Sequence, residues 1–215
     1  VVAFVTLVFM TFVLLQNHRM RNSMLGFDKD MIAVANAPAV DGASIEMLRN
    51  EARKYPSIAG IAVASEKVGA QDSYSTAGMD FDGQEVQTFV IGVDQEFFNV
   101  MGIRIVEGRG FNQYDSTGTT VVSRYFMDLY GVNPGDILPQ GAGEVIGICD
   151  NVRFNSAREP STPIAFVPIG FFDLHRVLYF RLSPGADKVQ AARDIESIIR
   201  EADPYWPSQV SFYDT

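Results

Sequence analysis

The fold is decided by residues 31–64, MIAVANAPAVDGASIEMLRNEARKYPSIAGIAVA. Met31 to Ala35 is a short apolar run, and Pro38 with Asp41-Gly42 makes a turn. Ile45, Leu48, Ala52 and Tyr55 then recur at helical spacing until Pro56 stops the helix. Ile58 to Ala64 is a second apolar run. Strand, helix and strand in that order predict a βαβ crossover. The far end repeats the plan with different residues. Val177 to Leu182 reads as a strand, Ser183-Pro184-Gly185 as a turn, and Val189, Ala192, Ile195, Ile199 and Ala202 as the inward face of a helix. Asp203-Pro204 ends that helix, and Val210 to Tyr213 is the closing strand. Two such units pair into one four-stranded sheet with both helices on one face, the split βαβ arrangement of an α+β fold.

What lies between them has a different texture, rich in strands and in Gly and Pro turns. Gln87 to Val93, Ile103 to Val106, Thr119 to Val122, Glu144 to Asp150 and Ile164 to Val167 read as strands. Asp94 is placed to cap a short helix with Phe97, Phe98 and Met101 pointing inward and Gly102 at its end. Ser123 is placed to cap a second, bearing Phe126 and Leu129 and closed by Gly131. This is a β-rich insertion into the βαβ unit, with no internal repeat and no low-complexity tract.

Upstream, Val1 to Leu15 (VVAFVTLVFMTFVLL) holds fifteen residues without a charge and stops abruptly at Gln16-Asn17-His18-Arg19. It is apolar on every face, and no small-x-small cleavage site follows, so it reads as the end of a transmembrane helix. The 47% hydrophobic content of the 215 residues therefore blends a membrane segment with a more polar body.

Composition and motifs narrow the chemistry. With 17 Lys+Arg against 26 Asp+Glu there is no basic face for phosphates, which argues against nucleic acid as a partner. One cysteine and two histidines build neither a disulfide framework nor a multi-His metal centre. The Gly-rich run Gly141 to Gly147 precedes a strand and lacks the Lys-Ser/Thr of a phosphate loop, so it reads as a hairpin turn. Asp80-Phe81-Asp82-Gly83 lacks the twelfth-position Glu of a calcium loop, where Ile91 stands, and reads as another turn. No G-x-S-x-G elbow accompanies His175. Cys149 reads as a buried thiol, His18 as interfacial, Tyr205 and Trp206 as a loop packed on the sheet, and Arg104 and Arg109 as salt-bridged strand residues.

Several stretches, taken in order, carry a family resemblance. They are Leu25-Gly26-Phe27-Asp28; Gly92-Val93-Asp94 with Phe97-Phe98 and Gly102-Ile103; and Glu107-Gly108-Arg109-Gly110-Phe111. Val121-Val122-Ser123, Gly147 to Asp150 with Phe154, and Pro204 to Asp214 complete the set. In that order and spacing the chain resembles the extracytoplasmic core domain of ABC transporter permeases of the MacB and FtsX type, in particular their Bacteroidetes branch.

The resemblance implies a porter-like split βαβ subdomain at 26–68 and 171–215, a sabre-like β-rich subdomain inserted at 69–170, and the end of transmembrane helix 1 with its flank at 1–25. It further implies a non-enzymatic, membrane-anchored domain outside the bacterial inner membrane. Its partners would be a second permease copy, a cytoplasmic ABC ATPase, and a periplasmic adaptor or lipoprotein. It implies no catalytic residue, cofactor or metal ligand on this chain, and it assigns no substrate-binding residue. The alternative is the ligand-binding external domain of a membrane sensor, which also follows one apolar helix. A membrane-tethered hydrolase is the least supported of the three.

Overall fold

The computed structural model describes residues 6, 10, 29–36, 42–68, 75–81, 83–152, 162–171, 177–207 and 209–213. Only Thr6 and Met10 represent the apolar run, both helical and exposed, and the rest of the expected segment at 1–25 before Lys29 lies outside the described residues. No helix among the described residues is long and apolar enough to cross a membrane.

In chain order the elements are β1 (Ile32–Asn36), α1 (Gly42–Ala52), β2 (Ile58–Ala64), β3 (Thr76–Phe81), β4 (Gln84–Val93), α2 (Phe97–Met101), β5 (Ile105–Gly108) and β6 (Thr119–Ser123). There follow α3 (Arg124–Tyr130), β7 (Ile137–Leu138), β8 (Gly143–Cys149), β9 (Ile164–Pro168), β10 (Val177–Leu182), α4 (Lys188–Ala202) and β11 (Val210–Phe212). The fold is mixed α+β, with a single large sheet and few helices. The described strands join in the order β11-β1-β10-β2-β4-β9-β6-β8-β5, with β3 beside β4 and β7 beside β8.

The first four of these strands, β11-β1-β10-β2, come from the two ends of the chain, and each neighbour is antiparallel. This is the split βαβ order. Its strands are apolar enough for burial on both faces: Ile32, Ala33, Val34 and Ala35 of β1 are all buried. Alternate residues therefore serve two cores. Ala33, Ala35, Ile61, Val63, Leu178 and Phe180 meet Ile45 and Leu48 of α1 and Ala191, Ile195, Ile198 and Ile199 of α4. Val189, expected inward, is exposed. The Asp187 side chain accepts from the Gln190 N–H and fixes where α4 starts, which leaves Val189 about 120° around the helix from Ile195 at 3.6 residues per turn.

The opposite face of the same strands presents Ile32, Val34, Ala62, Ala64, Val177 and Tyr179. No helix of the βαβ unit covers it. The cover comes from the intervening region: α2, with Phe97, Phe98, Val100 and Met101, packs there together with Ile91 and Val93 of β4 and Ile164 and Phe166 of β9. The aromatic rings form a chain across the boundary. Phe97 stands perpendicular to Tyr179 of β10 at 5.6 Å and touches Phe166 of β9 at 5.9 Å, while Phe98 sits edge-on to Phe166 at 5.2 Å and reaches Phe111 at 6.0 Å. One apolar cluster thus contains residues of both parts of the chain.

The remaining strands enclose a third cluster around Met79, Val122, Phe126, Val145 and Ala165. Ser123 caps α3 as expected, accepting from the Phe126 N–H, and Gly131 ends it in the left-handed conformation at φ 67°. Phe126 is fully buried, Leu129 is half exposed, and Tyr130 stacks on Phe81 at 4.2 Å. β3 and β7 are additions to the strands read from the sequence. Both Gly-containing turns are hairpins: β3 returns into β4 at Gly83, and β7 into β8 through Pro139–Gly141.

Phe97 joins the two parts of the chain through this aromatic cluster, so Phe97→Ala should lower stability by about 3–5 kcal/mol. Calorimetry should show a single transition moved to lower temperature; two transitions of which one stays in place would contradict a shared core.

Candidate functional site

β2 and β4 meet over one residue pair, Ala64 opposite Val93. Around it the ladder is built from four hydrogen bonds, and two of them use side chains where a regular ladder uses carbonyls. The Asp94 N–H donates to the Val63 carbonyl at 3.0 Å, and the Ser65 N–H to the Gly92 carbonyl at 2.8 Å. In return, the Val63 N–H donates to Asp94 Oδ2 at 3.0 Å and the Gly92 N–H to Ser65 Oγ at 3.0 Å. Both strands leave the sheet at this point, so their carbonyls are no longer aligned. The side chains complete the bonds that buried backbone groups require.

Asp94 therefore has a role other than the helix cap expected of it. The residue before Phe97 is Glu96, which makes no side-chain cap bond. Asp94 Oδ1 accepts from the Glu96 N–H at 3.2 Å and holds the turn into α2, while Oδ2 serves β2. Arg49 of α1 adds a charge, with Nη2 2.5 Å from Asp94 Oδ2, Nη1 paired to Glu46 one turn back, and Nε 3.5 Å from the Ile61 carbonyl. Asp94 is 9% exposed and Arg49 15% at the side chain. Burial pushes the Asp94 carboxyl up to about 7, against the opposing pull of Arg49 and the two backbone N–H groups.

Two further contacts reinforce the joint. The Tyr179 hydroxyl donates to the Glu66 carbonyl at 2.8 Å and accepts from the Val68 N–H at 2.7 Å, tying the segment after β2 down to β10. Arg181 Nη1 donates to the Val100 carbonyl at 2.9 Å, so β10 also holds the middle of α2. Gly60 lets α2 approach, since a Cβ there would stand 3.2 Å from Val100 Cγ2. Above the joint lies a groove of about 650 Å³ between α1, the Asp94-Gln95 turn, residues 111–117 and residues 168–170.

The other residues singled out in the sequence are dispersed. Cys149 is fully buried, and burial raises its thiol well above the ordinary range. Arg104 pairs with Asp150 at 3.0 Å, and Arg109 forms a two-pronged pair with Asp115 at 2.6 and 2.9 Å; both arginines flank β5. Trp206 Nε1 donates to the Asn36 carbonyl at 3.3 Å, so its loop does lie on the sheet edge, whereas Tyr205 is 95% exposed. Asp80 Oδ1 accepts from the Gly83 N–H at 2.7 Å within its turn. His18 and His175 lie outside the described residues. Among the described residues no three His, Cys, Asp or Glu side chains are grouped to hold a metal. The residues that the sequence reading missed are Arg49 and Ser65, because their partners stand 45 and 27 positions away.

The split βαβ sheet has its open face closed by the β-rich intervening region, a mixed α+β architecture. The family model described as the MacB-like periplasmic core domain matches residues 1–198, and the chain belongs to that family. It is thus the extracytoplasmic domain of an ABC transporter permease of the MacB/FtsX type, a non-catalytic part of such a transporter. Solved structures that share the fold include three domains of transporters or permeases. The periplasmic region of MacB from Actinobacillus actinomycetemcomitans has TM-score 0.60 at 12% identity, over 91% of this chain and 94% of that one. A domain of a putative permease from Porphyromonas gingivalis has TM-score 0.60 at 15% identity, over 88% and 93%. The extracellular domain of the noncanonic ABC-type transporter YknZ from Gram-positive bacteria has TM-score 0.57 at 10% identity, over 83% and 99%. No curated protein matches the chain in sequence.

Asp94→Ala removes the acceptor of the Val63 N–H and the inner partner of Arg49, and should cost about 3–5 kcal/mol in urea denaturation. Asp94→Asn keeps an acceptor oxygen and should cost clearly less; equal losses would show that the carboxylate's position in the ladder is unimportant.

Proposed function

We propose that this domain couples ATP hydrolysis by a cytoplasmic ABC ATPase to movement of a substrate outside the inner membrane, acting as a mechanical transmitter. The observation that supports this most is the joint itself. A transmitter must not fold up under load, and here the two parts of the chain share a sheet, an aromatic core and a charged clasp between Arg49 and Asp94.

The connectivity fits a loop between two membrane helices. β1 and β11 are antiparallel neighbours, with Ala33 opposite Phe212, so the chain enters and leaves the sheet side by side. β2 and β10 carry the chain to and from the intervening region at the other end, with Ala64 opposite Val177. Motion of a membrane helix attached before β1 would reach the first strand directly, and the joint would pass it on to β4. We assign residues 26–68 and 171–215 to a porter-like part, 69–170 to a sabre-like part, and 1–25 to the end of the first membrane helix with its flank. A second permease copy, a cytoplasmic ABC ATPase and a periplasmic adaptor or lipoprotein are the partners this reading requires. Export, lipoprotein extraction and efflux are each compatible with such a transmitter.

Crosslinking in cells followed by affinity capture of this polypeptide should recover a second copy and an ABC ATPase, with ATP turnover in the captured complex. Recovery of a cytoplasmic kinase module on the same polypeptide, with no ATPase subunit, would replace the transmitter by a sensor.

A further inference from the structure

We infer that the open edge of β2 at residues 59–61 receives a short extended segment of a partner protein. The segment adds there as a strand between α1 and α2, setting an acidic side chain against Arg53 and a basic one against Glu96. Such a slot is a property of the sheet and stands apart from the transmitting role proposed above.

β2 lies inside the sheet, yet much of one edge is bare among the described residues. β10 pairs with it from Ile58 to Ala64, whereas β4 meets it only at Ala64 and then turns away into α2. In an antiparallel ladder the backbone groups of successive residues point to opposite edges. Val63 makes both its bonds with Asp94, so Val63 and Ile61 address the β4 side while Ala62 and Gly60 address β10. The Ile61 carbonyl has only the distant Arg49 Nε at 3.5 Å, and the Ile61 N–H has no acceptor among the described residues, although Ile61 is 3% exposed. A buried N–H left without an acceptor is costly, and an added strand would supply one. Just beyond it the β10 register skips Ala59, passing from Gly60 opposite Arg181 to Ile58 opposite Leu182. This bulge leaves Ala59 exposed.

The walls beside this edge suit an added strand. α1 covers one face of the sheet and α2 the other, and between them a groove of about 370 Å³ runs along Ala59, Gly60 and Ile61. Arg49, Ala52 and Arg53 line it on the α1 side, and Gln95, Glu96 and Val100 on the α2 side. Gly60 adds no side chain of its own to the space. The Arg49–Asp94 pair closes the groove at the Val63 end, and Ala59 marks its open end. Three added residues would span roughly 10 Å of that edge.

The charges define the occupant. Arg49 is committed to Asp94 and Glu46, but Arg53 reaches only the neutral Asn50 side chain, at 3.1 Å. The Glu96 carboxylate makes no ion pair or cap bond among the described residues. Successive side chains of a strand point to opposite faces of the sheet. One residue of the segment thus faces Arg53 just past α1 and its neighbour faces Glu96 at the head of α2, which selects an acidic residue beside a basic one. A second copy of this edge would satisfy neither wall, since Ala59-Gly60-Ile61 carries no charge.

The test selects a library of random heptapeptides displayed on phage against the full chain in lipid nanodiscs, and follows the best synthetic peptide by amide hydrogen exchange. In the free chain the Ile61 amide, relative to its intrinsic rate, should exchange at least ~10-fold faster than those of Ala62 and Val63. Enriched peptides should carry Asp or Glu beside Lys or Arg, and the bound peptide should slow Ile61 at least ~10-fold. N-methylating the peptide backbone one residue at a time should abolish that protection at alternate positions only. Arg53→Glu, a change at an exposed side chain, should weaken the peptide at least ~5-fold, and exchanging the peptide's acidic residue for Lys should restore it. An Ile61 amide already protected in the free chain, peptides no more enriched than on empty nanodiscs, peptides lacking the charge pair, or binding indifferent to Arg53→Glu or to N-methylation would each overturn the inference. The bulge and the flanking charges would then serve only to blunt an edge.

Discussion

The four-bond ladder between β2 and β4 is the constraint on which the rest of the molecule depends. A split βαβ sheet with both helices on one face leaves its other face apolar and uncovered, and Ile32, Val34, Ala62, Ala64, Val177 and Tyr179 would then stand in water. The intervening region closes that face, and it does so only if β4 arrives beside β2 in a register that turns the chain directly into α2. One residue pair sets that register. Because both strands diverge there, the carboxylate of Asp94 and the hydroxyl of Ser65 supply acceptors that no carbonyl is placed to provide.

From this arrangement it follows that the two parts of the chain are distinct in topology yet continuous in physics. Opening the seam would break two charge-assisted contacts to Asp94 and expose the rings that run from Tyr179 through Phe97 and Phe98 to Phe111. Aromatic side chains of this size dominate the energetics of the surfaces they bury. The hydrogen bonds decide where the parts meet, and the apolar cluster holds them there. Under the proposed transmitting role, such a division of labour gives stiffness without a large interface.

The elements that were legible in the sequence are those whose signals are local. β2 and β10 coincide with their apolar runs, and Ser123, Gly102 and Gly131 do at α3 and α2 what their chemistry dictates at helix ends. β3 was not legible because Gly78 and Asp80 interrupt it with residues of low strand preference, and β7 is only two residues long. Val189 misled because an apolar residue in the first turn of a helix is counted by periodicity wherever the cap actually falls. The joint was only half legible. Asp94 attracted notice as a polar residue between a strand and a helix, but a capping role and a ladder role use the same residue type at the same place. Arg49 lies on another helix and reads as one member of an ordinary i,i+3 pair with Glu46.

The central claim, that both parts of the chain move as one body, can be tested by locking the seam covalently. Ala64 and Val93 form a non-hydrogen-bonded antiparallel pair facing the shared core, a geometry with Cα atoms ~4.5 Å apart that lies within reach of a disulfide. In the full transporter carrying Ala64→Cys and Val93→Cys, ATP turnover and substrate movement should be the same oxidised and reduced. Loss of substrate movement on oxidation, restored by reductant, would show that the cycle needs the two parts to separate and would contradict the account.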